Sequence, residues 1–360
     1  MDNHFSRYLD LTRFTAAVLV VLAHFVQYGI IGVTPPGTLP DLGREAVIVF
    51  FLLSGFVIAY TSATKPLTLR QYVVARSARI YSVAIPVVLL CFVVAGVAAQ
   101  LGSLPAEDAY QFHKLYVYLP LHLLFAGELW TLSEVPPWLP QYWSLGYEVW
   151  YYVLFGVAFY LRGRTRVCAV ALVLLIMGPK LWLLLPIWLA GVYLYRYQKD
   201  LPLSQRQARL AWCATLVLLG LYKYLGLDQS LRTLGSALWP FPNLHLGSAE
   251  RYLADYVVCV LIYLNFVLAR QAGFPSLQAW DRSIRALSTY TFTLYLIHGP
   301  VIALWNLYYP HQANSVRDML LLCAAIAGAT WLAGQVTERR KQWFHLHIDS
   351  ATLLCMRRFA

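Results

Sequence analysis

Charge is scarce in this sequence. Asp, Glu, Lys and Arg make up 12% of the 360 residues, about half of the ~25% usual in soluble domains. The space is taken by apolar side chains: 59% of residues are hydrophobic, and the mean hydropathy is +0.57. A water-soluble fold is excluded, because it cannot hide that much apolar surface. Cysteine pairs are missing too. Of six cysteines, Cys91, Cys168, Cys213, Cys259 and Cys323 stand inside apolar runs, and no CxxC occurs. They read as small buried hydrophobes, not as a disulfide framework or a zinc site. No G-x-S-x-G elbow, Walker loop, HExxH or dinucleotide fingerprint is present, so the chemistries those motifs serve lack support, and no metal is expected. There is no internal repeat, no low-complexity tract, and no polar stretch long enough for a separate soluble domain.

What is present is a series of apolar segments. Ten emerge, at about 9–30, 43–62, 82–101, 143–161, 167–179, 181–197, 209–226, 252–270, 287–308 and 317–337. Most approach the ~20 residues needed to cross a bilayer. The fifth and sixth are short and parted only by Pro179 and Lys180, so they form either two spans or one broken or re-entrant unit. Many of the 12 Trp and 25 Tyr fall near segment ends, as interfacial belts require. The expectation is an all-α polytopic membrane protein of about ten transmembrane helices.

Basic residues orient it. With the N-terminus cytoplasmic, 20 of the 28 Lys and Arg fall on the cytoplasmic side, seven fall outside, and Arg13 lies within the first helix. Cytoplasmic loops carry such an excess, so both termini are expected in the cytoplasm. The same distribution accounts for the net charge of +11 without a nucleic-acid partner. Membrane lipid is the expected surroundings. The N-terminal segment carries Asp2, Arg7, Asp10, Arg13 and His24, which suits a retained helix better than a cleaved signal. Two long segments fall outside, 102–142 and 227–251. Within the first, 113–130 is apolar enough to dip into the membrane.

Polar groups inside a bilayer cost several kcal/mol, so each needs a reason. Arg13 and His24 are 11 residues apart in the first segment. At 100° per residue they share one face, about 16 Å apart along the axis. His24 reads as a hydrogen-bonded packing histidine or as a functional base. Arg76 and Arg79, in RSARIYSVAIP, share a face at i, i+3. They read as a positive-inside anchor or as a bidentate phosphate clamp. Glu148, in WSLGYEVWYY, lies about as deep below the outer boundary as His24, and a carboxylate there would fix an imidazole tautomer. His298 stands two residues before Pro300 and reads as a core histidine bonding a backbone carbonyl that Pro300 frees, or as a functional one. Ser54-Gly55 allows close helix approach or backbone contact with a ligand. His345 and His347 read as cytoplasmic surface.

Five blocks then resemble, in order, the acyltransferase-3 family of membrane acyltransferases, which modify bacterial surface polysaccharides. YLDLTRFTAAVLVVLAHF, residues 8–25, resembles the family's opening helix with its Arg-x10-His signature at Arg13 and His24. VIVFFLLSGFVIAY resembles the FFxLSGF block. Arg76-x-x-Arg79 resembles the RxxR pair, WSLGYE the WSLxxE block, and YTFTLYLIHGPV the late block carrying Tyr295 and His298. Before FFLLSGF the family commonly shows a GVDLFF-like run, whereas Ala46, Val47, Ile48 and Val49 stand here. The acidic block often has two adjacent Glu, whereas Val149 follows Glu148 here.

The resemblance implies a single transmembrane acyltransferase domain over 1–345, a short cytoplasmic tail over 346–360, and no appended soluble domain. It implies a multi-pass protein of the bacterial inner membrane. Its function would be transfer of an acyl group, most often acetyl, from cytoplasmic acyl-CoA (acetyl-CoA) to a hydroxyl of a cell-surface or lipid-linked glycan. His24 would be the general base and Glu148 its catalytic partner. Arg13, Arg76 and Arg79 would hold the donor, and Trp143, Ser54, Tyr295 and His298 would border the substrates. Two other readings fit the residues alone: a transporter or flippase for a lipid-linked glycan, and a non-catalytic partner in polysaccharide assembly.

Overall fold

The structure is a computed structural model, and it describes residues 3–32, 41–103, 106–197, 201–340 and 342–350. The cytoplasmic tail expected over 346–360 lies mostly outside the described residues. All regular structure among them is helical. In chain order the helices are α1 (Asn3–Gln27), α2 (Gly43–Thr64), α3 (Leu69–Gln100), α4 (Ala106–His113), α5 (Leu115–Leu123), α6 (Tyr142–Tyr160) and α7 (Gly163–Met177). There follow α8 (Pro179–Arg196), α9 (Gln205–Tyr224), α10 (Leu227–Leu238), α11 (Tyr252–Ala272), α12 (Asp281–Thr289), α13 (Thr291–Tyr308) and α14 (Val316–Val336).

Local chemistry sets several boundaries. At the start of α3, Thr68 Oγ1 accepts from the Gln71 N–H at 3.3 Å, and Gln71 Oε1 accepts from the Thr68 N–H at 2.9 Å. This reciprocal cap starts the helix well before the apolar run expected from residue 82, so Arg76 and Arg79 lie inside α3. Ser204 and Gln207 make the same cap on α9. Gly178, at φ +75°, ends α7, and Pro179 opens α8 as its first residue. The fifth and sixth apolar segments are therefore two separate helices. The expected helix over 287–308 breaks at Tyr290 into α12 and α13. The stretch 113–130 holds α5, and 227–251 holds α10.

Five helical segments are long and apolar enough to cross a membrane: α1, α2, α3, α11 and Val316–Arg340. The number rises to eight if each of three bent pairs, α7 with α8, α9 with α10 and α12 with α13, counts as one span. Their outer surfaces are studded with large exposed apolar side chains, among them Val93, Val217, Leu320 and Leu332. Water would make such surfaces sticky, whereas lipid solvates them. The chain is a multi-pass membrane protein.

Two compact units divide the chain. The first comprises residues 1–65, 129–131 and 177–291, and the second 66–128, 132–176 and 292–360. In the first unit α2 packs along α8, with α1 and α11 beside it. The α2–α8 approach is backbone to backbone. A Cβ on Gly55 would meet the Trp188 carbonyl oxygen at 2.0 Å, and one on Gly191 would meet the Leu52 carbonyl oxygen at 2.0 Å. In the second unit α3 packs against α4, α5, α6 and the 3-10 turn Glu338–Arg340.

Candidate functional site

The first unit carries Arg13, His24 and Ser54. Arg13 lies 3.6 Å from Asp10 across one helical turn, with both side chains partly exposed. His24 is buried. Its ring hydrogen-bonds the Val20 carbonyl one turn back, and it sits 6.2 Å from the Tyr28 ring. An imidazole that donates one N–H to a carbonyl presents its other nitrogen as an acceptor, which is the form a general base needs. Ser54 accepts a hydrogen bond from Trp188 Nε1 at 3.1 Å on the packed α2–α8 face. Its geometry serves that helix contact.

A cavity of about 280 Å³ lies between α1, α2, α9 and α11. Neither Arg13 nor His24 lines it. At one end Tyr8, Asn265, Thr215 and Trp212 bond one another in a closed network. The Tyr8 hydroxyl donates to Asn265 Oδ1, Trp212 Nε1 donates to Tyr8 at 3.0 Å, and Asn265 Nδ2 donates to Thr215 at 2.7 Å. At the other end Glu45 receives Lys223 at 3.0 Å and has Arg251 at 3.8 Å. Arg251 also pairs with Asp228, and the neighbouring Arg44 pairs with Asp255 through Nε at 3.0 Å and donates to the Ser248 carbonyl at 2.7 Å. Glu45 and Asp255 are buried. Sequence reasoning counted Arg44, Lys223 and Arg251 as charges on one side and missed their acidic partners. The available signal was a lone acid in the first turn of an otherwise apolar segment, at Glu45 in α2 and at Asp255 in α11.

The second unit carries Arg76, Arg79, Trp143, Glu148, Tyr295 and His298. Arg79 is exposed and Arg76 is half-buried. The Arg76 guanidinium stands 5.8 Å over the Tyr72 ring, a cation–π placement that holds it without neutralising it. Tyr72 donates to the Tyr152 carbonyl at 3.0 Å, and the Tyr152 hydroxyl donates to Glu148 Oε1 one turn away. Both guanidiniums act electrostatically on Tyr152. Trp143 is half-buried, its ring edge-on to Tyr147 at 5.4 Å.

Tyr295 and His298 belong to a tight junction between α6 and α13. The Tyr295 hydroxyl shares a 2.6 Å hydrogen bond with Ser144 and donates to the Gln141 carbonyl at 3.1 Å. Pro300 has no N–H, so the Leu296 carbonyl loses its helical partner. Gln141 Nε2 replaces it at 3.1 Å and also reaches the Tyr295 carbonyl at 3.0 Å. His298 therefore does not bond the carbonyl that Pro300 frees. Its Nδ1 lies 2.9 Å from the Leu294 carbonyl instead, and the residue is fully buried. A Cβ on Gly299 would meet the Trp138 carbonyl oxygen at 2.4 Å, so the glycine is what allows the junction to close.

Two further groups in this unit went unread in the sequence. Glu338 accepts from the Phe292 and Thr293 N–H groups and from the Thr293 hydroxyl at 3.1 Å, capping α13 as carboxylates do at helix N-termini. His122 is buried, with Nε2 3.0 Å from Gln111 Oε1. Gln111 is held by the Val135 carbonyl at 2.9 Å and by Tyr110, which donates to Glu134. Burial pushes the His122 imidazole down to about 4, and burial, with the Glu134 hydrogen bond adding to it, raises the Tyr110 hydroxyl to about 12.

A family model described as an acyltransferase domain matches residues 6–334. No match was found among curated proteins or among solved structures.

Proposed function

The chain belongs to the acyltransferase-3 family, and from that premise we propose that it transfers an acyl group from cytoplasmic acyl-CoA to a glycan hydroxyl. Acetyl is the acyl group we assign, and a cell-surface or lipid-linked glycan is the acceptor. The observation that carries the reading is the extent of the match, 6–334, which takes in Arg13, His24, Arg76, Arg79, Glu148 and His298. The proposed setting is a bacterial inner membrane, crossed by about ten spans with both termini cytoplasmic.

Acyl-CoA, when bound, supplies an acyl group activated as a thioester. Arg76 and Arg79 fit its phosphates, since one guanidinium is exposed, the other half-buried, and planar guanidinium groups bind phosphate bidentately. His24 takes the proton of the acceptor hydroxyl. The new bond forms between that oxygen and the acyl carbon, the carbon–sulfur bond breaks, and the proton passes to the departing thiolate. Such proton transfer contributes about 10²–10⁴-fold. Arg13 stays protonated and serves as a fixed positive charge rather than a base. Glu148, held by Tyr152, is the acidic member of the proposed set. Tyr295 and His298 sit in a hydrogen-bonded junction that would give a bound glycan a rigid border.

Mass spectrometry of surface glycans from cells with and without the protein tests this. The proposal expects the mass of one acetyl group per modified unit, present only with the protein. Identical glycan masses would remove it.

A further inference from the structure

The cavity between α1, α2, α9 and α11 is not used by the acyl-transfer reading. Its wall along α1 runs from Tyr8 to Leu19, eleven steps along the helix and so about 16 Å. A volume of about 280 Å³ spread over that length is a slot, not a chamber for a compact polar group. Leu11, Ala16, Val49, Leu219, Leu261 and Ile262 make the slot apolar. The polar residues at the Asn265 end bond one another and ask nothing of an occupant.

The other end differs. Glu45 lines the slot and is 3% exposed, yet its Oε2 is buried without a hydrogen-bond partner among the described residues. Arg251, whose guanidinium reaches Glu45, likewise holds a buried Nε–H without a partner there. One orphan accepts and the other donates. Leaving such atoms unsatisfied in a low-dielectric site costs about 1–3 kcal/mol each. A hydroxyl satisfies both, since it donates its hydrogen to a carboxylate and accepts from an N–H.

We propose that this slot binds a single alkyl chain whose polar end is a hydroxyl, with the chain along α1 and the hydroxyl between Glu45 and Arg251. A carboxylate head would face Glu45 with like charge, and a quaternary ammonium head has no hydrogen to give. The site is independent of acyl transfer and of His24.

A photoactivatable long-chain primary alcohol, added to the purified full-length protein in neutral detergent, tests the proposal. Cross-linked peptides from α1, α2, α9 or α11, competed by excess unlabelled alcohol, are the expected result. Labelling should fall about tenfold with the matched carboxylic acid and with the matched quaternary ammonium, the loss of one hydrogen bond to a charged group. Leu219→Trp, which fills the slot and leaves the Glu45 ion pairs intact, should remove the label. If that variant does not fold, competition on the wild-type protein decides the matter. Labelling confined to other helices, or unmoved by competitor, overturns the slot. Equal labelling by all three heads overturns recognition of the hydroxyl.

Discussion

At the scale of single residues, the arginine pair on α3 makes the sharpest claim on the donor. Arg79 is exposed while Arg76 is held over the Tyr72 ring, so Arg79 can be removed without disturbing packing. Arg79→Ala is expected to raise the KM for acyl-CoA about tenfold, as the loss of one charge-assisted contact requires. Because Lys offers a point charge without the planar fork, Arg79→Lys should recover only part of this. An unchanged KM in the alanine variant would return the pair to a membrane-anchor role. His122 makes a claim about stability. Its imidazole is held near 4 by burial against an ordinary value of 6.5. The unfolded chain therefore binds a proton first as pH falls, and the stabilisation is lost below about 6.5. The thermal midpoint in detergent should drop between pH 7 and pH 4, and drop less in His122→Phe. Parallel curves for the two proteins would show that the group does not titrate on unfolding.

Residue identities were legible in the sequence, while partners were not. Glu45 meets Lys223 across 178 positions and Arg44 meets Asp255 across 211. No local pattern encodes a pairing that distant. His298 was legible as a histidine near a helix-breaking proline. That Gln141, and not His298, bonds the freed Leu296 carbonyl depends on α6 lying beside α13, which only the fold supplies.

At the scale of elements, each of the ten apolar segments is helical, nine on a single helix and 287–308 on α12 and α13, because runs of that length have no other way to satisfy their backbone in lipid. What the hydropathy hid is the polar start of α3, where Arg70, Gln71, Arg76 and Arg79 mask thirteen residues of helix. Hydropathy also passed over α4 and α10, which are too short or too amphipathic to register as spans, while α5 falls in the stretch expected to dip into the membrane. The α2–α8 contact rests on two glycines. Gly55→Ala and Gly191→Ala each place a methyl against a carbonyl oxygen at 2.0 Å, an overpacking expected to cost about 1–3 kcal/mol. Either variant should lose several degrees of thermal midpoint in detergent. Wild-type stability in both would mean the helices stand further apart. Gln141→Leu should cost a similar amount by stranding the Leu296 carbonyl, and should leave the α2–α8 unit unaffected in limited proteolysis.

At the scale of the whole molecule, the family match runs through both compact units, so the family resemblance is not the property of one of them. The proposed orientation is testable without any activity assay. Reporter fusions should read as cytoplasmic after residue 164 and as external after residue 115, following the placement of basic residues. The reverse pattern would invert the membrane sidedness on which a cytoplasmic donor depends. The central claim is a membrane-embedded imidazole acting as base. Its most direct test is the initial rate of acyl transfer from labelled acetyl-CoA to a glycan acceptor, for the purified wild-type protein and for His24→Ala at matched folding. The variant is predicted to lose at least about 10²-fold while acyl-CoA binding persists. Equal rates in the two proteins would contradict it.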